Sequence, residues 1–355
     1  MSNLPGPDHD SNNARGSAPV SGDDLLPPVE PPSAGFILQL FIVPALIVMV
    51  VVGVWLTFTW LVHRSQPKDL IQGLESTSVA RWQRASELAD MLRNERYEQF
   101  KSDPATALQL AGILDREIDS AGEKGGMDDQ SVTLRYFLCR ALGEFRVPDV
   151  LDVLLKAANT NRDPRERMMR QGAIEAIAVL TFNLRESNPP QELDSSELES
   201  TLGALAGDED DAIRSTTAYT LGRIGTPASL DQLEILVDDP HADTRYNAAV
   251  ALAHHGRATA AETLAEMLDY TEPLGVKPED DPRDQIAKRT LIMSNAMEAA
   301  RELARLNPGA DLSAVHVALE ALAQADEAEL QKTMMNPRRA SAAAEHTLKE
   351  LRPRD

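Results

Sequence analysis

Residues 211–239, DAIRSTTAYTLGRIGTPASLDQLEILVDD, read as two short helices with punctuation between them. Ala218, Leu221 and Ile224 stand three apart and share one face of the first helix. Gly225 stops that helix and Pro227 opens the second, whose Leu230, Leu233, Leu236 and Val237 make another apolar face. Asp210 or Asp211 can cap the start, and Asp238-Asp239-Pro240 closes the unit. The small Ala218 and Gly222 let a neighbouring helix come close. A helix pair of this size cannot bury its own apolar faces, so it needs neighbours of the same kind.

The chain supplies them. Shifted by 31 positions, Arg214, Ala218, Leu221 and Gly225 recur as Arg245, Ala249, Leu252 and Gly256. The second helices keep the same period, with Leu202, Leu233 and Leu264 in one series and Leu205, Leu236 and Met267 in another. A shift of 79 pairs Arg135 with Arg214, Leu142-Gly143 with Leu221-Gly222, and Pro148 with Pro227. A stretched copy holds Arg170, Ile174, Ile177 and Leu180. The unit at 282–325 keeps Ala300, Leu303, Leu306 and Pro308 but has Ala296 where arginine is expected. The helix from Asn336-Pro337 to Leu351 reads as a terminal cap, with Ala340, Ala343 and Leu348 on one side. Upstream, Thr77 or Ser78 can cap a helix through about Phe100, and Asp103-Pro104 opens another through Ile118. Two excursions break the period, 181–195 and 269–281.

These residues predict an all-α fold, an α-solenoid of helical repeats preceded by one transmembrane helix. The expected organisation is a proline-rich acidic tail at 1–35, a membrane helix at 36–62, a linker and helical hairpin at 63–130, and a solenoid with its cap at 131–355. The quoted unit, continued by ADTRYNAAVALAHHG at 242–256, resembles the HEAT-like repeats of phycobilisome-lyase-type proteins. The shared pattern is an acid, an aliphatic residue, an arginine, alanines, and then Leu-Gly-x-Ile-Gly. That resemblance implies second helices lining a concave, protein-binding surface. It also implies a second function class, a lyase-like or chaperoning protein that attaches or protects a cofactor.

The span at 36–62 carries no charge. Its last 22 residues include 14 that are Leu, Ile, Val or Phe, enough to favour insertion by roughly 4–8 kcal/mol before other terms. A lone strand would leave its backbone unpaired in lipid, so the segment is expected to be a helix, with Pro44 near its start. An acidic flank, an over-long apolar run and the absence of a small-residue cleavage site argue against a cleaved signal peptide. Arg64, Lys68, Arg81 and Arg84 follow the span, whereas Arg15 is the nearest base before it. The positive-inside bias then places the N-terminus outside and the solenoid in the cytoplasm, as in a single-pass protein of a bacterial inner membrane. Seven prolines and few large apolar residues make 1–35 a segment too poor in burial to fold.

The chain holds 56 acidic and 35 basic residues, a net charge of −21. Nucleic acid is not an expected partner. One cysteine, Cys139, excludes an internal disulfide and suits a reducing compartment. Under the 79-residue shift it matches Ala218, a small buried position. His254-His255 is the one histidine pair, and no His-Glu dipeptide, phosphate loop, nucleophile elbow or Cys-x-x-Cys is present. No catalysis, cofactor or metal is expected.

Two sets of residues remain. Arg135, Arg170, Arg214 and Arg245 share one register on the first helices. They could bind an anionic ligand or pair with acids and orphan carbonyls to fix repeat stacking. Asp152, Asp231 and Glu262 share a register on the second helices, with Glu199 and Glu266 nearby. Such a row is either a solvated face or a groove for a protein partner that carries a basic segment. The remaining partner expected is the lipid bilayer, through one helix.

Overall fold

The computed structural model describes residues 33–62, 67–76, 80–123, 128–193, 195–271, 275 and 281–351. The tail before Ser33, the flanking Arg64, the Thr77 or Ser78 cap, the centre of the Gly-rich loop near 125 and most of the 269–281 excursion lie outside these residues. The chain forms two units, 1–64 and 65–355.

Among its described residues the first unit is one helix, α1, Ala34–Val62. Within it Leu38–Phe58 is long and apolar enough to cross a membrane, with a mean hydropathy of 2.7 over the span. The helix starts earlier than the apolar run suggests, so Pro44 lies in its interior instead of its first turn. A proline there removes one backbone bond, which membrane helices tolerate when local adjustments re-satisfy the freed group. Thr57 hides its hydroxyl by donating back to the carbonyls of Gly53 and Val54, each at 2.9 Å.

The second unit is all helix among the described residues, and its helices alternate between two layers. After α2 (Pro67–Leu74) come α3 (Arg81–Leu92), the single turn α4 (Glu98–Lys101) and α5 (Pro104–Glu123). The repeats follow as α6 (Asp129–Gly143) with α7 (Leu151–Asn159), α8 (Arg167–Arg185) with α9 (Ser196–Ala206), and α10 (Asp211–Ile224) with α11 (Pro227–Leu236). Next are α12 (Ala242–His254) with α13 (Ala261–Leu268), and α14 (Pro282–Leu306) with α15 (Ser313–Gln324). The turn α16 (Glu327–Leu330) leads to α17 (Pro337–Leu351). The first helices α3, α6, α8, α10, α12 and α14 pack each on the next, and α17 closes the end against α14 and α15. This is an α-solenoid.

Its core is the repeat series itself. Leu142, Leu154, Leu202, Leu233, Leu252 and Leu264 are all fully buried, and each contributes about 1.5–3 kcal/mol relative to exposure. The core does not break at residue 130, because α3 packs on α6 and α5 on both α6 and α7. The hairpin before the Gly-rich loop is therefore the first stacked unit.

Local chemistry moves several expected boundaries. The helix from Arg81 ends at Leu92, not near Phe100, because the Asn94 side chain accepts from the Arg96 amide and starts a new turn. The excursion after Leu180 begins only at Glu186, since Thr181 and Leu184 are still buried members of α8. Asp210, not Asp211, caps α10, accepting from the Ala212 amide at 2.9 Å.

Gly225 has φ +66° at the end of α10, and a Cβ there would sit 2.5 Å from the His255 ring. Gly225→Ala is therefore expected to cost about 1–2 kcal/mol. Gly203→Ala, in α9 with open space around it, should gain about 0.5–1 kcal/mol. Thermal melts of the two variants side by side check the pair.

Candidate functional site

The register arginines sit at the seams between units. Arg170, Arg214 and Arg245 each lie one turn into a first helix, where the guanidinium can reach carbonyls left over at the preceding helix end, whereas Arg135 lies nearly two turns into α6. Arg214 donates from Nη1 to the Asp208 carbonyl at 2.8 Å and grips the Asp239 carboxylate with Nε at 2.7 Å and Nη2 at 3.1 Å. Arg245 repeats the arrangement one unit on, with Nη1 on the Asp239 carbonyl at 2.8 Å and the guanidinium on Glu266. Arg170 donates to the Ala158 carbonyl at 3.0 Å and pairs with Asp208. Fork-on-carboxylate contacts of this kind are the strongest available to an arginine.

Arg135 departs from its copies. It and Glu166 are both fully buried, with Nη1 3.1 Å from Oε1. Glu166 also accepts from the Arg162 amide at 2.7 Å and from the Arg162 guanidinium at 2.6 Å, while Arg162 reaches the Ile118 carbonyl at 3.0 Å. Burial alone would raise the Glu166 carboxyl, but the hydrogen bonds from Arg162 and Arg135 outweigh it and hold the group below its ordinary value. Asp208 and Asp239 behave alike: burial pushes them up, and Arg170 and Arg214 respectively pull them lower.

In the last unit, Ala296 is buried in α14 and carries no such contact. Arg289, two turns earlier, donates from Nη2 to the Asp269 carbonyl at 2.9 Å. The shift follows from α14 starting at Pro282 and running 25 residues, so the seam falls nearer its start than the leucine series implies.

A second set of seam contacts, unforeseen in the sequence, runs along the opposite ends of the first helices. Asn183 donates to the Gly143 carbonyl at 3.0 Å and Asn307 to the Gly256 carbonyl at 3.0 Å. His255 Nε2 lies 2.9 Å from the Gly222 carbonyl. Arg185 reaches the Arg223 and Ile224 carbonyls at 2.7 and 2.6 Å. All of these satisfy carbonyls that a helix end would otherwise leave without a partner.

The acids of the second helices divide. Asp152 on α7, Asp231 on α11 and Glu262 on α13 are exposed, and none makes an ion pair within the described residues. Glu199 on α9 is exposed and accepts from Thr226 Oγ1 at 3.3 Å. Glu266 leaves the row: Arg245 and the Tyr246 hydroxyl, at 3.1 Å, hold it at the seam. Burial and the Glu266 carboxylate together raise the Tyr246 phenol. Its place on α13 explains the exchange, since it fills the role that the loop acid Asp239 plays for Arg214.

Among the described residues no group of three or more His, Cys, Asp or Glu could hold a metal ion. Cys139 is fully buried, and burial pushes its thiol up to about 12. A thiol so raised is not a nucleophile near neutral pH.

Residues 169–253, from α8 to the end of α12, match the family model of HEAT repeats. No curated protein matches the sequence. Several solved structures are similar to the chain. An engineered protein shares 17% identity over 80% of this chain and 98% of its own, with a TM-score of 0.38. Human deoxyhypusine hydroxylase, solved in complex with glycerol, shares 17% over 78% and 83%, with a TM-score of 0.27. YibA of Escherichia coli shares 13% over 77% and 97%, with a TM-score of 0.30. The second unit is an α-solenoid by its own helix stacking, and residues 169–253 of it match the HEAT-repeat model.

Proposed function

We propose that this chain is a membrane-tethered scaffold whose HEAT-like solenoid binds a protein partner through the exposed face of its second helices, without catalysis. HEAT repeats generally mediate protein–protein interaction, which gives the coarse reading. The observation that carries the finer one is the row of Asp152, Asp231 and Glu262. These acids are exposed and lack ion pairs among the described residues, whereas Asp208, Asp239 and Glu266 are held by arginines at the seams. An acidic row left open favours a basic segment of the partner, steering its approach and fixing its register.

In this reading α1 is the tether. Confinement to a membrane raises the effective concentration of the solenoid toward other membrane-held molecules, so individually weak contacts suffice. The basic residues after the span favour the cytoplasmic side of a bacterial inner membrane for the solenoid. A topology reporter fused after Asp355 tests that side, and deletion of 38–58 should move the chain to the soluble fraction.

The binding face is tested by the triple variant Asp152→Lys, Asp231→Lys, Glu262→Lys. Proximity labelling from the C-terminal end of the full chain should lose its dominant partners at least tenfold, with an unchanged thermal melt. Labelling equal to the parent chain would sink the acidic-face reading.

A further inference from the structure

A cleft of about 680 Å³ runs between α13 and α15. Its walls are small and apolar, formed by Ala265, Leu268, Ala314, Ala318 and Ala321. Val317 also lines it, yet this residue is 68% exposed. On α15 the lining positions 314, 317, 318 and 321 follow helical spacing, so they form one continuous strip. The rim has a sign. Glu266 and Asp269 line the cleft, and no lysine or arginine does. Glu262 extends the same face of α13 by one turn, and the exposed Glu320 flanks Val317 by helical register.

We propose that this cleft seats the apolar side of a short amphipathic helix of a partner protein, flanked by lysine or arginine. The proposal rests on the scaffold reading above and specifies where its basic partner is anchored. Charge complementarity selects a basic occupant through the exposed Glu262 and Glu320 on the two flanks, since Glu266 is already held by Arg245 and no lysine or arginine lines the cleft. The occupant is a helix because both walls are helices, with no strand edge between them to pair an extended chain, so the peptide must satisfy its own backbone. The 12 residues of α15 give a seat about 18 Å long, room for two or three turns. Leucines at i, i+3, i+4 and i+7 would reach the alanine floor and pack beside Val317.

The test uses the full chain in phosphatidylcholine nanodiscs and a synthetic 14-residue peptide with leucines at that spacing and lysines elsewhere. Hydrogen exchange should slow in α13 and α15 on adding the peptide. Val317→Ser, which removes the apolar knob, and Ala314→Trp, which fills the cleft, should each weaken the peptide at least tenfold. Both positions are exposed, so neither change strains the core. A peptide with glutamate for lysine should give no protection. Protection untouched by both variants, or equal with the glutamate peptide, overturns the proposal. So does protection that appears without peptide and rises with protein concentration, which would assign the cleft to a second copy. Protection without peptide that vanishes on deleting 272–280 would assign it to the chain's own loop and overturn it equally. Asp152→Lys with Asp231→Lys separates the two ideas: if only those changes weaken binding, the acidic face stands and the cleft falls. Sensitivity to Val317→Ser alone keeps the cleft and removes the wider face.

Discussion

Glu166→Leu should destabilise the solenoid by about 3–5 kcal/mol, because it strands a buried guanidinium. Arg135 and Glu166 are both fully buried, and Arg135 Nη2 already lacks a partner. Its charge is therefore compensated by one carboxylate and the Ser131 carbonyl, 3.3 Å from Nε. Glu166→Gln, which keeps an acceptor oxygen, should cost less. The double variant Arg135→Met with Glu166→Leu should recover most of the loss, since a buried pair replaced as a unit by apolar residues is often neutral or better. Equilibrium denaturation of the three variants decides it, and a double variant as unstable as Glu166→Leu would refute the ion-pair account. The pH dependence carries the same sign for three groups. Glu166, Asp208 and Asp239 bind a proton more weakly folded than unfolded, because arginine hydrogen bonds outweigh their burial. Their stabilisation is fully present above the ordinary carboxylate range and is lost as pH falls through their lowered folded values. Acid melts of Glu166→Gln should show a shallower loss than the parent chain.

The repeat was legible because it is written in residues with one structural use each. Leucines at a fixed period, a glycine that must stop a helix and a proline that can only start one leave few alternatives. The register arginines were legible as a pattern, but not their partners. Glu166, Asp208 and Asp239 lie between helices, where an acid next to a helix start reads as a cap. Two uses compete there, and only packing chooses. Ala296 shows the limit of alignment by period: the α14 seam is served by Arg289, because a longer helix slides the arginine relative to its leucines. The contacts from Asn183, His255 and Asn307 were illegible for a different reason. Each caps a glycine carbonyl of the preceding unit, but each at a different offset, two from asparagines and one from a histidine, so no periodic signal records them. On the second helices, register alone could not separate Glu266 from Glu262. One is consumed by Arg245 and the other is open, a distinction set by position along one face of α13, where only Glu266, one turn further on, meets the Arg245 guanidinium.

Gly143→Val should divide the solenoid. The Leu-Gly pair marks a close contact between consecutive first helices, and at Gly143 a Cβ would lie 2.8 Å from both the Cα and the carbonyl oxygen of Ala176. Those are backbone atoms of α8, so no rotamer change relieves the clash. By contrast, a Cβ at Gly222 would meet mainly the Ala251 methyl, at 2.4 Å. Inserting bulk into a packed interface costs about 1–3 kcal/mol, occasionally more. Here separation of α6 from α8 also endangers the Asn183 bond to the Gly143 carbonyl and the neighbouring Arg135–Glu166 pair. Stability in a solenoid is close to a sum of unit terms and nearest-neighbour interfaces, so weakening one interface uncouples the two sides. The expected result is a melt that splits in two, with hydrogen exchange in α3–α7 no longer tracking that in α8–α17. Gly143→Ala should show the same effect in milder form. A single cooperative melt in Gly143→Val, lowered but not split, would mean that α5, α7 and α9 in the second layer couple the halves strongly enough without the α6–α8 contact.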